Sequence, residues 1–236
     1  INEKFDMEFG WESKNLQLSY KEEFTGTVVS DRSDSPIINS TYVKNLWKPT
    51  DYLSFDFGVR SSKSSYYDKL IHDPRIGLKY MLNKNLALKA MWGRFTQFMF
   101  TINQDEQLLR LVDFWQVVEE NKKPQSNEHY VIGLESWISD GNSLSLEAYY
   151  KPYSTLYDVS VIFPDPTDQS SYFTSGTGQT WGFEFLYQFR TKKINGWVGY
   201  AYADINREID LNLDGIIQTN SENYTSNYSK PHSLNF

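Results

Sequence analysis

Apolar residues occupy alternate positions over whole strand lengths of this chain, and charged or small residues fill the positions between them. Phe5, Met7, Phe9 and Trp11 alternate with Lys4, Asp6, Glu8, Gly10 and Glu12. Leu53, Phe55, Phe57 and Val59 alternate with Ser54, Asp56, Gly58 and Arg60. Trp181, Phe183, Phe185, Tyr187 and Phe189 alternate with Gly182, Glu184, Leu186, Gln188 and Arg190. A period of two marks β-strands, because successive side chains leave a pleated strand on opposite faces. One face is aromatic and the other ionic, with Leu186 and Trp137 fitting the polar side less well.

The same pattern predicts ten strands and the start of an eleventh near His232. They pair as hairpins through short connections: Phe5–Glu12 with Leu16–Phe24 through Ser13-Lys14-Asn15, then Thr41–Trp47 with Tyr52–Arg60, Arg75–Leu82 with Leu86–Phe95, Tyr130–Ile138 with Ser143–Lys151, and Trp181–Arg190 with Gly196–Ala203. Ser139-Asp140-Gly141-Asn142 is the strongest turn signal among them. The intervening connections are long: 25–40, 61–74, 96–129, 152–180 and 204–231. Short turns on one side and long loops on the other are the mark of a membrane β-barrel, with the turns in the periplasm and the loops outside. Strands of about nine residues tilted by about 45° cover a hydrocarbon band of roughly 25 Å. Backbone groups in lipid must all be paired, so such a sheet has to close. The competing reading is a soluble antiparallel sheet or sandwich with one solvated face.

Composition narrows the choice. No apolar run approaches the roughly 18–20 residues of a spanning helix, and the mean hydropathy is -0.57. Aromatic residues make up 17% of the 236 residues, which suits strands and interface belts. A net charge of -7 argues against nucleic acid as a partner. The absence of cysteine excludes disulfides, thiolate metal sites and catalytic thiols. Strand pattern begins almost at Ile1 and is still running at Phe236, so both ends read as cut and the chain as a piece of one β-barrel domain.

Several segments resemble the barrel of TonB-dependent outer-membrane receptors, in particular those of Bacteroidetes-like bacteria. Asp73-Pro74-Arg75-Ile76-Gly77-Leu78-Lys79-Tyr80 followed by Gly93-Arg94-Phe95-Thr96-Gln97 is similar to one hairpin of that family. His129 to Glu135 with Leu146 to Lys151 resembles the next, and Gly182 to Leu186 with Gly196 to Tyr202 the one after. Lys230 to Phe236 resembles the strand start that follows. The resemblance covers most of residues 70–236. It implies a 22-stranded antiparallel transmembrane barrel in the bacterial outer membrane, of which this chain holds about 10–11 strands and no plug. It further implies outer-membrane lipid, a plug domain, the remaining strands and a TonB complex as partners. The work implied is energy-coupled import of a scarce small ligand such as a siderophore, cobalamin or an oligosaccharide, and not catalysis. A barrel enzyme and a passive porin are the alternatives.

Candidate sites lie in the loops. Asp210-x-Asn212-x-Asp214-Gly215 matches the first half of a calcium loop, with Ser221 where the bidentate Glu belongs. The plain reading of 204–231 is a polar loop with an Asp-Gly turn. Tyr66, Tyr67, Phe98, Phe100, Phe114 and Trp115 are candidate ligand-contacting aromatics, against an interface belt or loop packing. Residues 105–120 read equally as a short amphipathic helix and as a strand excursion. His72, His129 and His232 have no ligand spacing, and no Ser/His/Asp or paired-acid arrangement is legible.

Overall fold

A computed structural model describes residues 4–25, 27–102, 114–118, 122–159, 173–210, 221–225 and 229–236. They form fifteen strands: β1 (Phe5–Asn15), β2 (Leu18–Phe24), β3 (Thr27–Asp34), β4 (Ile37–Thr50), β5 (Leu53–Ser64), β6 (Tyr67–Asn83), β7 (Leu86–Gln97), β8 (Met99–Ile102), β9 (Phe114–Val117), β10 (Gln125–Ser139), β11 (Asn142–Val159), β12 (Phe173–Arg190), β13 (Asn195–Asp210), β14 (Ser221–Thr225) and β15 (His232–Asn235). The main antiparallel sheet has eleven strands in the order β1-β4-β5-β6-β7-β10-β11-β12-β13-β14, with β15 also on β13. β2–β3 and β8–β9 are separate hairpins. No helix occurs among the described residues, and none is long and apolar enough to cross a membrane.

Eleven strands were expected, but their membership differs. Leu16–Phe24 does not pair with β1 as a membrane strand. β1 runs on through Ser13-Lys14-Asn15 and pairs along its length with β4, from Phe5↔Trp47 to Asn15↔Ile37. Residues 18–24 pair instead with β3, off the main sheet. The alternation of Leu16, Leu18 and Tyr20 is genuine strand pattern, but it belongs to an excursion at the loop-bearing end. The long connections are also shorter than expected, because the strands extend into them. β5 and β6 continue to a tight link at Ser65-Tyr66, and β11 and β12 stay paired out to Val159↔Phe173. Of residues 105–120, 114–117 are strand, and 105–113 and 119–120 lie outside the described residues.

The opposite end of the sheet carries the tight turns. Asp140-Gly141 links β10 to β11, with Gly141 at φ +80, the left-handed conformation such turns need. At the β12–β13 turn the Thr191 hydroxyl accepts hydrogen bonds from the amides of Lys193 and Ile194.

Register places the two chemistries on separate faces of the whole sheet. Phe9, Val43, Val59, Ile76, Trp92, Tyr130, Tyr150 and Trp181 share one face. Nothing described packs over it: Phe9 is 78% and Ile132 66% exposed, and Phe183 and Leu146 are exposed as well. A soluble sandwich would bury these side chains between its sheets, and an apolar surface of this extent does not face water in a soluble monomer. Trp92, Tyr130, Tyr150 and Trp181 are consecutive register partners. Their polar tips are met by carboxylates and an amide on the loop side: Trp92 and Tyr130 donate to Glu128, Tyr150 to Gln179 and Trp181 to Asp204. This is an interface girdle, greasy below and wet above. From Trp181 to Phe189 the strand advances about 27 Å at ~3.4 Å per residue, roughly 20 Å of height at a tilt near 40°.

Candidate functional site

The other face is concave and ionic. Glu135 on β10 is the hub of its lower half: it pairs with Lys79 of β6 at 3.1 Å and with Lys89 of β7. Lys89 also reaches Glu147 of β11 at 3.7 Å. Lys79 and Lys89 are direct cross-strand partners, a repulsive placement that Glu135 relieves from one strand further on. The residue between Lys89 and Glu147 is Gly133. A Cβ there would press on Glu147 Cγ at 3.2 Å, so the glycine keeps that route open. Trp137 lies on this face, under the Lys79 ammonium at 4.9 Å. Its position on the polar side of the pattern therefore has a physical reason, a cation–π contact.

Toward the loop-bearing end a cavity of about 600 Å³ opens between β1 and β7, lined by Glu8, Lys44, Asp56, Lys79 and Lys89 among others. Above it lies a second of about 700 Å³, where β1, β4, β5, β6 and β7 meet the β8–β9 hairpin. Arg60 and Arg75 line both and form the boundary between them. They are diagonal neighbours, since Gly58↔Arg75 and Arg60↔Asp73 are register pairs. The upper cavity is the mouth of the face. Glu12 holds two cations there, Arg60 and Lys14, the latter at 3.4 Å. Ser40 and Ser62 pair their hydroxyls at 2.8 Å below Phe98 and Trp115.

One buried carboxylate builds this mouth. The β6–β7 ladder ends at Arg75↔Gly93. Beyond it Asp73, 4% exposed, accepts hydrogen bonds from the Thr96 amide at 3.2 Å and the Thr96 hydroxyl at 2.8 Å. A side chain thus takes over from the missing ladder bonds, and β7 bends away to start the hairpin. That hairpin docks through the only cluster of buried apolar side chains among the described residues, Phe100, Val118 and Tyr157. Phe100 stacks on Tyr157 with centroids 4.8 Å apart, and Tyr67 meets Phe98 at 6.2 Å. The Tyr157 hydroxyl donates to the Lys123 carbonyl at 2.6 Å. This site lies beyond the Tyr150 girdle position on β11, and burial pushes the phenol up to about 12.

The candidate aromatics separate into different roles. Trp115 is 49% exposed and lines the mouth. Tyr67 is buried against Phe98 as a support. Tyr66 accepts a hydrogen bond from the Ser35 amide at 3.2 Å, tying the β5–β6 link to the β3–β4 link. Phe114 is the first residue of β9, paired with Ile102, and its side chain lies outside the described residues. Asp210 ends β13, while Asn212 and Asp214 of the calcium pattern lie outside the described residues. No metal-ligating cluster occurs among the described residues. Sequence reasoning did not mark Glu12, Arg60, Arg75, Phe95 or Asp73 as site residues, although Asp73, Arg75 and Phe95 lie in segments that carry the family resemblance. Alternation puts the odd-numbered positions of β6 and the even-numbered positions of β5 on the polar face, but only register makes Arg60 and Arg75 diagonal neighbours.

Comparison with known proteins follows from this geometry. The profile of the family described as "TonB dependent receptor-like, beta-barrel" matches residues 3–236. Among solved structures, the chain is similar to the siderophore receptor PirA from Pseudomonas aeruginosa, at 13% identity and a TM-score of 0.58, over 87% of this chain and 46% of that one. It is similar to a chain of the FpvAI–pyocin S2 complex, at 15% identity and a TM-score of 0.55, over 86% and 34%. The RagAB peptide importer in its "closed-closed" state matches at 12% identity and a TM-score of 0.56, over 92% and 29%. The chain thus spans less than half the length of these structures. No curated protein matches it.

Proposed function

This chain belongs to the TonB-dependent receptor-like β-barrel family, an outer-membrane family, and on that premise we propose that it forms one wall of an energy-coupled importer. A small external ligand is captured at the mouth lined by Glu12, Lys14, Arg60, Arg75, Phe98 and Trp115. It then passes into a lumen whose ionic face meets a plug domain and water. The cargo falls in the class of a siderophore, cobalamin or an oligosaccharide, and the work is transport rather than catalysis.

The observation that carries this reading is the placement of the larger cavity. It sits on the ionic face at the loop-bearing end, with an apolar, girdled face behind it. A ligand arriving from outside meets charged and aromatic groups held by a rigid sheet, the usual division between scaffold and binding loops. Among the described residues β1 pairs only with β4, and in lipid its other edge needs a further strand. The remaining strands and the plug are therefore partners, and a TonB complex supplies the coupling. PirA is named as a siderophore receptor and RagAB as a peptide importer, so cargo choice within this architecture falls to the mouth residues.

The test uses the full-length receptor. Uptake of labelled ferric siderophores, cobalamin and oligosaccharides is measured in cells with and without TonB, and ion conductance in a planar bilayer. Uptake of one class that stops without TonB, with a bilayer that stays closed, is the expected result. Steady conductance without TonB would make it a passive porin and end the reading.

A further inference from the structure

We propose that Arg75 is the anion-recognition residue of the mouth, and that the ligand carries a carboxylate, or an oxyanion of like planar shape, beside an aromatic or apolar body. This rests on the mouth being the capture site. Six cations line the two cavities: Lys14, Lys44, Arg60, Arg75, Lys79 and Lys89. Five have carboxylate partners. Lys14 and Arg60 share Glu12, Lys44 has Asp56 at 3.3 Å, and Lys79 and Lys89 share Glu135. Arg75 alone has none among the described residues. Asp73, its neighbour on the same face, is committed to Thr96.

Arg75 is also held in place. Its stem lies over Gly93, where a Cβ would come within 3.1 Å of its Cγ. Its guanidinium sits 4.4 Å above the centroid of Phe95, and Phe95 in turn lies 4.4 Å from the His129 ring. Stacking occupies the flat face of the guanidinium and leaves its in-plane N–H fork free. A planar fork fixed against an aromatic ring matches a carboxylate by two parallel hydrogen bonds, with little conformational entropy left to lose. Phe98 and Trp115 line the same cavity, so an apolar body attached to that carboxylate has aromatic surface to rest on. A wholly apolar ligand would leave Arg75 desolvated and unpaired, which the site would reject.

The experiment is calorimetry on the full-length receptor in detergent at neutral pH, with 2-naphthoate as the probe and the uncharged 2-naphthamide as its counterpart. Wild type is expected to bind the naphthoate about 10- to 100-fold more tightly, the range for a charge-assisted pair. Arg75→Met should abolish that preference with naphthamide binding unchanged. Arg75→Lys, which keeps the charge and the fold but loses the fork, should retain part of it. Equal affinity of wild type for the two probes, no binding of either, or an undiminished preference in Arg75→Met would each overturn the assignment. A receptor that still imports in a TonB-dependent manner after such a result loses only the role of Arg75, and the importer reading stands.

Discussion

Tyr42 lies across Gly10: a Cβ on Gly10 would fall 2.5 Å from the tyrosine ring, and the Tyr42 hydroxyl donates to Glu8 at 3.0 Å. The two are register partners on β1 and β4, so the ring fills a gap that the glycine leaves on the ionic face. Gly10→Ala should displace the ring and lower stability by about 1–2 kcal/mol, the cost of overpacking. In a Tyr42→Ala background the same change should be nearly neutral. Urea unfolding of the full-length protein in detergent, followed by heat-modifiable gel mobility, measures all four corners of the cycle. Additive effects would show that the ring does not depend on the glycine.

Glu135 neutralises two lysines that face each other. Glu135→Gln should cost about 1–2 kcal/mol after allowance for solvent screening of these part-exposed groups, and more than Glu147→Gln, since among the described residues Glu147 pairs with Lys89 alone, at 3.7 Å. Unfolding at low and high salt checks it. The deficit of Glu135→Gln should shrink as salt screens the Lys79–Lys89 repulsion.

The apolar face has a sharp test at Leu146, whose register partners are Leu134 and Phe185. Leu146→Arg should destabilise the barrel by about 2–4 kcal/mol, the cost of an arginine near the membrane midplane. Ser145→Arg, one residue away on the ionic face, should cost far less. Equal penalties in a bilayer refolding assay would contradict the assignment of faces.

The docked hairpin gives a proteolysis readout. Phe100→Ala removes the ring stacked on Tyr157, and a local loss of about 2 kcal/mol corresponds to roughly 30-fold faster cutting when the open form is rare and recloses quickly. Trypsin cleavage after Lys122 on intact cells measures this. An unchanged rate would mean the hairpin is held elsewhere.

Tyr157 adds a pH dependence. Its docked phenol titrates at about 12, above the ordinary value near 10. Between these values the docked state binds more protons than the undocked one, so docking is at full strength below pH 10 and weakens as pH rises toward 12. Cleavage of the Lys122–Lys123 bond by an alkaline-tolerant protease of broad specificity should climb through that window in wild type. In Tyr157→Phe it should stay flat.

How much of this was legible beforehand differs from strand to strand. Phe183, Leu146 and Lys79 sit on the faces their alternation assigned, and the Asp140-Gly141 turn lies where its residues placed it. Leu16–Phe24 was misplaced because alternation describes a strand by itself and does not say which strand lies beside it. Ser13-Lys14-Asn15 looked like a turn, yet its backbone finds better partners in Ile37, Ile38 and Asn39. At the mouth, Trp115 was visible as a loop aromatic, whereas Arg75 was one polar-face cation among many.

Local chemistry therefore settled the two-faced, membrane-spanning sheet, because side-chain direction along a strand follows from a two-residue repeat and from nothing farther away. Tertiary structure decided the neighbours: β4 beside β1, the carboxylate of Asp73 in place of ladder bonds, and Arg60 diagonal to Arg75. Pairing register joins residues many positions apart, and no local pattern encodes the height at which two strands meet.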